Sequence, residues 1–529
     1  MDDQASLQEK VFAFLGDPAT HGGADVRRID THAASVFLAG DRALKVKRAV
    51  RFPFLDYSTL DKRHAACRAE LDVNRPFAPA LYRGVLPITR DAGGQLALGG
   101  EGEIVEWAVE MRRFDENGTL DRIADARGID LTLAEELARA VVAMHARAPP
   151  ADADAWLSAL TTYLEQNAAA FREHSALFPP DKAAALDRAA RACLERLRPL
   201  LAARGARGLV RRGHGDLHLG NIAMLDGHPV PFDAIEFDPV IASGDVLYDL
   251  AFLLMDLLER NLHAAANVVL NRYLADTDVR DLDGLAALPF FMALRAAIRA
   301  KVVAAQMLRE GTAAGATLAD RARAYFALAA RLLAPVPPTL VAVGGLSGTG
   351  KSALARALAP FLLPLPGAVV VRSDIERKHL FHRAEHEPLP PEAYRMEVNS
   401  EVYARIMERA GQVVAAGHSA IADAVFARQE ERAAIAQVAA RHNVPFVGLY
   451  LVADLETRLR RVSARTRDAS DADASVARAQ ERYALGTIDW LKIDASGTPE
   501  QTLQRAQAAI GADAHDAKAP AMSSGARSS

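Results

Sequence analysis

Apolar and polar residues alternate in short runs near the start of this chain and later fall into a longer period. Ser35-Val36-Phe37-Leu38 and Ala43-Leu44-Lys45-Val46-Lys47 flank Gly40-Asp41. That pattern predicts a β-hairpin, because Gly and Asp accept the positive φ of a tight turn. From Leu131 to Arg204, and again from Asp245 to Leu333, the chain is rich in Ala, Leu and Arg at helical spacing. A β-rich lobe over about 25–112 followed by a helical lobe over about 113–334 is therefore expected. Ala334-Pro335-Val336-Pro337-Pro338 cannot continue a helix, since each proline lacks an amide donor and restricts its predecessor. We place a domain boundary there: 1–334, a linker 335–338, and a second domain 339–511 that opens on the buried strand Thr339 to Val343. Residues 512–529 are Ala-, Ser- and Gly-rich without periodicity, the pattern of a disordered tail.

Composition narrows the class. With 529 residues more than one domain is expected. The 63 Lys+Arg against 67 Asp+Glu give a formal net charge of -4, so no global field steers the chain onto nucleic acid or an anionic membrane. Cys67 and Cys193 are the only cysteines, which excludes a disulfide framework and makes a reducing cytoplasm the expected location. Met1-Asp2-Asp3-Gln4 lacks the pattern of a signal peptide. The best apolar run, Leu250 to Leu258, carries Asp256 and is shorter than the roughly 18 residues of a membrane span.

Candidate chemistry concentrates in two places. The first is His214-Gly215-Asp216-Leu217-His218-Leu219-Gly220-Asn221, followed by Phe232-Asp233. The intervening segment predicts a hairpin turning at Asp226-Gly227. Counting back from that turn, Leu225 faces His228 and Asn221 faces Phe232, so Asn221 and Asp233 meet at its open end near Asp216. Two such oxygen ligands suit Mg²⁺, which takes few protein ligands and leaves room for phosphates. Asp216, five residues before Asn221, has the spacing of the protein-kinase catalytic loop, where the Asp accepts the substrate hydroxyl proton.

The second place is Gly345-Leu346-Ser347-Gly348-Thr349-Gly350-Lys351-Ser352. It fits the Walker A pattern between a strand and a helix, with the helix expected from Ser352. Its amides cradle phosphates, Lys351 reaches the β/γ-phosphates and the Ser352 hydroxyl binds Mg²⁺. Further on, Val369 to Asp374 reads as a strand ending in an acid, placed to accept a proton from an acceptor hydroxyl. His418 to Asp423 reads as a strand whose terminal Asp423 could hold Mg²⁺ through water. After the strand Phe446 to Val452 come Arg458, Arg460, Arg461, Arg465 and Arg467. Arg461 and Arg465, one helical turn apart, are the best candidates for a lid that closes on phosphates.

His214 to Asn221, Asp233, Gly244-Asp245 and Asp249-Leu250-Ala251 resemble the aminoglycoside phosphotransferase-type branch of the protein-kinase-like fold. The Ser373-Asp374-x-x-Arg377 pattern is similar to that of P-loop kinases of small metabolites and of the polynucleotide-kinase type. Over about 25–510 the chain resembles the bifunctional proteins that join an aminoglycoside phosphotransferase-like domain to a P-loop ATP-binding domain. The resemblance implies a two-lobed α+β kinase-like domain followed by an α/β P-loop domain with a mostly parallel sheet. It implies an ATP-dependent phosphotransferase using Mg²⁺ and acting on a hydroxyl of a small molecule. It also implies Asp216 as catalytic base, Asn221 and Asp233 as Mg²⁺ ligands, and Asp249 as a support of the loop. Lys45, preferred over Lys47 on the same strand face, would hold the α/β-phosphates with Glu70 as partner. Glu106 to Phe114 would receive adenine on its backbone, and Asp374 would be the base or hydroxyl orienter of the second site. The chain departs from the protein-kinase pattern in having no G-x-G-x-x-G before Lys45; the turn at Thr31 to Ser35 would cover a nucleotide with its amides and Ser35. Two other readings stay open: a nucleotide-binding regulator with an inactive kinase-like domain, and a nucleic-acid end kinase, which the balanced charge disfavours.

Overall fold

Turn chemistry sets the first sheet in the computed structural model, which describes residues 2–516 apart from 53, 54, 278, 311 and 465–468. The chain divides into two compact units, Met1–Thr277 with Phe290–Leu333, and Asp278–Pro289 with Ala334–Ser529. In the first unit, helix α1 (Asp2–Gly16) precedes strands β1 (Val26–Asp30), β2 (Ala34–Ala39) and β3 (Arg42–Lys47). Gly40, at φ +56°, opens the β2–β3 turn. Helix α2 (Leu60–Asn74) leads to β4 (Tyr82–Arg90), β5 (Leu96–Leu98) and β6 (Glu103–Arg112). These strands form one antiparallel sheet in the order β1-β2-β3-β6-β4-β5.

Period-two alternation gives this sheet two different faces. Phe37, Leu44, Val46, Ile88 and Val105 pack with Val11, Phe12 and Leu15 of α1. Lys45 and Lys47 leave by the opposite face, toward α2. The N-terminal helix lies outside the lobe bounds expected from the alternating runs. It is fastened by Gln8, which donates to Glu106 Oε2 at 2.8 Å and to Lys47 O at 2.9 Å. Glu106 also accepts both contacts of Arg63 Nε at 2.9 Å, so one buried acid ties α1, α2 and β6 together.

The helical part of this unit is built around α3 (Val246–Glu259), buried almost all round, as a helix apolar on every face must be. The apolar run flagged in the sequence is thus the centre of the lobe. Arg204, also fully buried, pairs with Asp245 at 2.7 and 2.9 Å, and Asp245 caps α3 through Leu247 N at 2.9 Å. Strands β7 (Ile222–Leu225) and β8 (His228–Pro231) form the hairpin in the expected register, Leu225 opposite His228. Asp226 and Gly227, at φ +52° and +86°, make its turn, and Phe232 N donates to Asn221 O at 2.9 Å.

In the second unit, β9 (Leu340–Gly345), β10 (Val369–Arg372), β11 (Ala420–Asp423), β12 (Phe446–Val452) and β13 (Leu491–Asp494) form a wholly parallel sheet. Its order is β10-β11-β9-β12-β13. Val341, Val343, Ile421, Leu449 and Ile493 pack with Leu354 and Leu358; near-continuous apolar strands are what a sheet covered on both faces requires. Neighbours on opposite sides of β9 place a crevice at its carboxyl end. The last helix runs from Pro499 to Asp516, so the backbone stays helical beyond the break expected after Gly511; the remainder of the expected tail, 517–529, lies outside the described residues. Among the described residues no helix is long and apolar enough to cross a membrane.

Burial also gives this unit a pH response. His418 is fully buried beside β11, and burial lowers its imidazole to about 4, against the opposing effect of its 2.9 Å contact with Gly367 O. Above about pH 6.5 the ring is neutral folded or unfolded. As pH falls from there toward 4, the unfolded chain takes a proton that the folded one refuses, and stability falls. Between pH 7 and 5 this amounts to about 2 kcal/mol. Urea unfolding of the full chain is expected to lose that much more in the wild type than in His418→Gln over the same interval; equal losses would refute the assignment.

Candidate functional site

The loop 214–221 is held from below by two acids on α3. Asp249 accepts from His214 N at 2.8 Å and Gly215 N at 3.0 Å. Asp256, two turns further along the same face, accepts from Leu219 N at 3.0 Å. Arg295, on the helix Leu288–Glu310, donates to Gly215 O at 2.9 Å and stacks 3.9 Å from the Tyr248 ring centroid. Gly215 carries φ +80°, and a Cβ there would lie 2.9 Å from Ala242 Cα, so this bend needs glycine. Asp256 was missed as a loop support; the available signal was an ionisable residue inside an otherwise apolar helix.

The loop presents Asp216 with 39% of its side chain open to solvent. Asn221 Nδ2 donates to Asp216 O at 3.0 Å and to Oδ2 at 3.1 Å, and His218 Nε2 lies 3.5 Å from Oδ2. Burial on its other sides would raise the Asp216 carboxyl, but His218, with help from Arg299 and His214, holds it below the usual carboxylate range. Asp233, at φ +62°, meets Lys45 Nζ at 2.5 Å, and Lys45 also reaches Glu70 at 2.8 Å. Burial opposes the Lys45 charge, yet Asp233, Glu70 and Glu236 together hold its ammonium well above the ordinary value. Burial likewise works to raise Asp233, and Lys45 outweighs it.

Lys45 and Lys47 share Glu70. Lys47 Nζ lies 2.5 Å from Glu70 Oε2 and 2.5 Å from Glu236 Oε1, and Tyr57 OH adds a 2.9 Å bond to Glu236. Only Lys45 reaches Asp233. Glu236 was not singled out in the sequence, because its partner lies 189 residues away.

Two expectations for this unit need correction. Ala108 to Met111 lie inside β6 with β3 on one side and β4 on the other, and the Trp107 N–H and carbonyl go to Glu106 Oε1 and Cys67 Sγ, so adenine cannot lie along this stretch. The free backbone begins after Arg113, whose N–H goes to Asp41 O at 2.8 Å. Ser35 is fully buried and gives its hydroxyl to Asp30 Oδ1 at 2.6 Å, so it does not cover a nucleotide. Thr31 and Ala34 close the β1–β2 turn on each other.

In the second unit the residues Gly345 to Ser352 join β9 to the helix Lys351–Leu358, one residue earlier than expected. Gly345, Gly348 and Gly350 have φ of +138°, +86° and +93°. A Cβ on Gly348 would lie 2.6 Å from Arg458 O. Ser347 is gripped from both ends, its N–H by Gln480 Oε1 at 2.6 Å and its carbonyl by Arg458 Nε at 2.9 Å. Lys351 Nζ lies 3.3 Å from Leu346 O, curled over the loop. Asp423 ends β11 beside Val343 and Arg372, with Arg372 Nε 3.4 Å away.

Asp374 does not end a strand: β10 stops at Arg372, and Ser373–Leu380 is a helix with Asp374 in its first turn, where an acid complements the helix dipole. Arg377 donates to Ala393 O at 2.6 Å. Arg461 is not on a phosphate lid; it donates to Ala495 O at 2.8 Å and Gly497 O at 2.7 Å, because the loop after β13 presents it with two bare carbonyls. Arg465 lies outside the described residues.

Residues 50–291 match the family described as Phosphotransferase enzyme family, and 340–485 match the AAA domain. Uncharacterised proteins of Mycobacterium tuberculosis (strain ATCC 25618 / H37Rv) and Mycobacterium bovis (strain ATCC BAA-935 / AF2122/97) are 30% identical over 503 residues, spanning 91% of this chain and 94% of theirs. An amicoumacin kinase solved with AMP-PNP, Ca²⁺ and Ami is 15% identical, covers 60% of this chain and 92% of its own, and has a TM-score of 0.38. The Mycobacterium tuberculosis APS kinase is 20% identical over 34% of this chain and 99% of its own, with a TM-score of 0.26.

Proposed function

Since the chain belongs to the family that joins an aminoglycoside phosphotransferase-like domain to a P-loop kinase domain, we propose that this phosphotransferase has two nucleotide sites and passes the γ-phosphate of ATP to a hydroxyl of a small molecule. The observation that carries this reading is the partly open Asp216 carboxylate, on a loop fixed by Asp249, Asp256 and Arg295, with Asn221 beside it. An acceptor hydroxyl loses its proton to Asp216 as its oxygen attacks the γ-phosphorus, the bond from that phosphorus to the bridging β-phosphate oxygen breaks, and ADP leaves. Lys45, now on Glu70 and Asp233, binds the phosphates. Asn221, whose Nδ2 is turned to Asp216, has its oxygen left for a cation, and Asp233 supplies a carboxylate; this hard oxygen pair fits Mg²⁺, which would neutralise the phosphate charge. In the second unit the Gly345–Ser352 amides and Lys351 hold the phosphates, Ser352 and Asp423 offer oxygens to Mg²⁺, and Asp374 orients a second acceptor.

One arrangement favours the regulator reading for the first unit. The closed Thr31–Ala34 turn offers no glycine-rich cover. Incubating the full chain with radiolabelled ATP and a panel of polyhydroxylated metabolites, with a 5′-hydroxyl oligonucleotide alongside, tests the proposal. Label is expected on a small molecule. Label on the oligonucleotide alone, or on nothing, would refute it.

A further inference from the structure

Arg295 reaches the loop 214–221 at Gly215 O. Arg299 follows on the same face of the helix Leu288–Glu310, one turn or about 6 Å further along. Its guanidinium carbon lies 5.9 Å from the Tyr325 ring centroid, and that of Arg321 lies 5.7 Å from the same centroid. Tyr325 OH donates to Asp256 Oδ1 at 3.4 Å, and the other oxygen of Asp256 holds Leu219 N. Arg299 is half-buried and, among the described residues, makes no hydrogen bond or ion pair. Arg321, also half-buried, has only Tyr325 OH, at 3.4 Å. Two acids stand near. Asp256 is taken by Leu219 N, Tyr325 OH and, at 3.6 Å, Arg260 Nε. Glu259 feels both arginines but ion-pairs with neither, and burial raises its carboxyl despite them.

Two guanidiniums that share one ring without a counter-ion repel each other, and neither can shed its charge. Water hydrates them but does not neutralise them. A phosphate or a carboxylate does both, because its oxygens match the planar fork of a guanidinium in bidentate fashion. Position decides what such an anion belongs to: Arg299 is close enough to the loop to help hold the Asp216 carboxyl down. We propose that the acceptor of the first unit carries a phosphate or carboxylate group, gripped by Arg299 with Arg321 beside it, while a hydroxyl of the same molecule meets Asp216. This assignment rests on the phosphotransfer reading of Asp216, and it makes the acceptor an anion rather than an amine or a neutral sugar.

Sodium phosphate and sodium acetate are the probes, with tetramethylammonium chloride as the cationic arm. Each is compared with sodium chloride at equal ionic strength, on the full chain saturated with Mg²⁺ and AMP-PNP. Hydrogen exchange is read in peptides from 214–221, 295–303 and 318–328. At least one anion is expected to slow it, and which of the two does so tells which group the acceptor carries. Arg299→Gln is expected to weaken that anion by about 10–100-fold, the worth of a charged, hydrogen-bonded pair. Arg321→Gln is expected to weaken it less, and Asp216→Asn not at all. No slowing by either anion, slowing unchanged in Arg299→Gln, or slowing by tetramethylammonium alone would overturn the proposal. Labelled ATP, offered with glycerol 3-phosphate, glycerate, glycerol and ethanolamine, separates the two claims. Label is expected on an anionic acceptor, with its KM raised in Arg299→Gln. Label on the neutral or amine acceptors alone would overturn the proposal while leaving Asp216 as the base. An anion effect with label on no acceptor would strike the phosphotransfer reading, and the acceptor role with it.

Discussion

Asp216→Asn is expected to lower phosphoryl transfer at the first unit by about 10²–10⁴-fold, the range a positioned general base contributes, while nucleotide affinity changes little. The replacement is isosteric, and its carbonyl can still accept from Asn221. The loop itself does not depend on the Asp216 charge: its amides go to Asp249 and Asp256 and its Gly215 carbonyl to Arg295. The loss therefore falls on proton acceptance rather than on folding, which circular dichroism and the thermal midpoint check directly. The same geometry fixes the acid side of the pH profile. His218 beside the carboxyl holds Asp216 below the ordinary carboxylate range, so the base stays ionised as pH falls through the region where a free carboxylate would take a proton. A rate that drops with the titration of an unperturbed Asp, or an Asp216→Asn enzyme with unchanged kcat, would show that another group takes the proton.

What the sequence made legible was local chemistry. Asp226-Gly227 demanded one turn type, and the pairing followed by counting, which delivered Asn221 to Phe232. The alternation that put Lys45 and Lys47 on one face of β3 placed both on Glu70, although the choice of Glu70 needed the family resemblance. The glycines of Gly345 to Gly350 likewise announced a backbone that only glycine adopts without strain. What stayed hidden was contact between distant stretches. Nothing near Arg461 marks Ala495 O as its acceptor, and nothing near Glu236 marks Lys47. A run of arginines on a helix reads the same whether it faces phosphate or a neighbouring loop, because charge pattern records exposure and not partner. The N-terminal helix escaped for a related reason: its apolar residues make sense only against the sheet face formed later in the chain.

Lys351→Ala is expected to lower nucleotide turnover at the second unit by about 10²–10³-fold, as for removal of one preorganised donor from developing charge. The loop is expected to survive the change. Its shape is set by three positive-φ glycines and by the grip of Gln480 and Arg458 on Ser347, none of which the Lys351 side chain supplies. Gly348→Val makes the opposite damage: its Cβ would strike Arg458 O at 2.6 Å in a backbone conformation valine avoids, so nucleotide binding and the loop fail together. Measured side by side, equal binding with lost turnover in Lys351→Ala and lost binding in Gly348→Val would separate charge from shape. Combining Lys351→Ala with Asp216→Asn then apportions the activity. If all turnover survives Asp216→Asn and none survives Lys351→Ala, the first unit is a ligand-binding module and phosphoryl transfer belongs to the P-loop. If each variant removes a different product, the chain holds two working kinases, since the residues that fix the two loops belong to separate compact units.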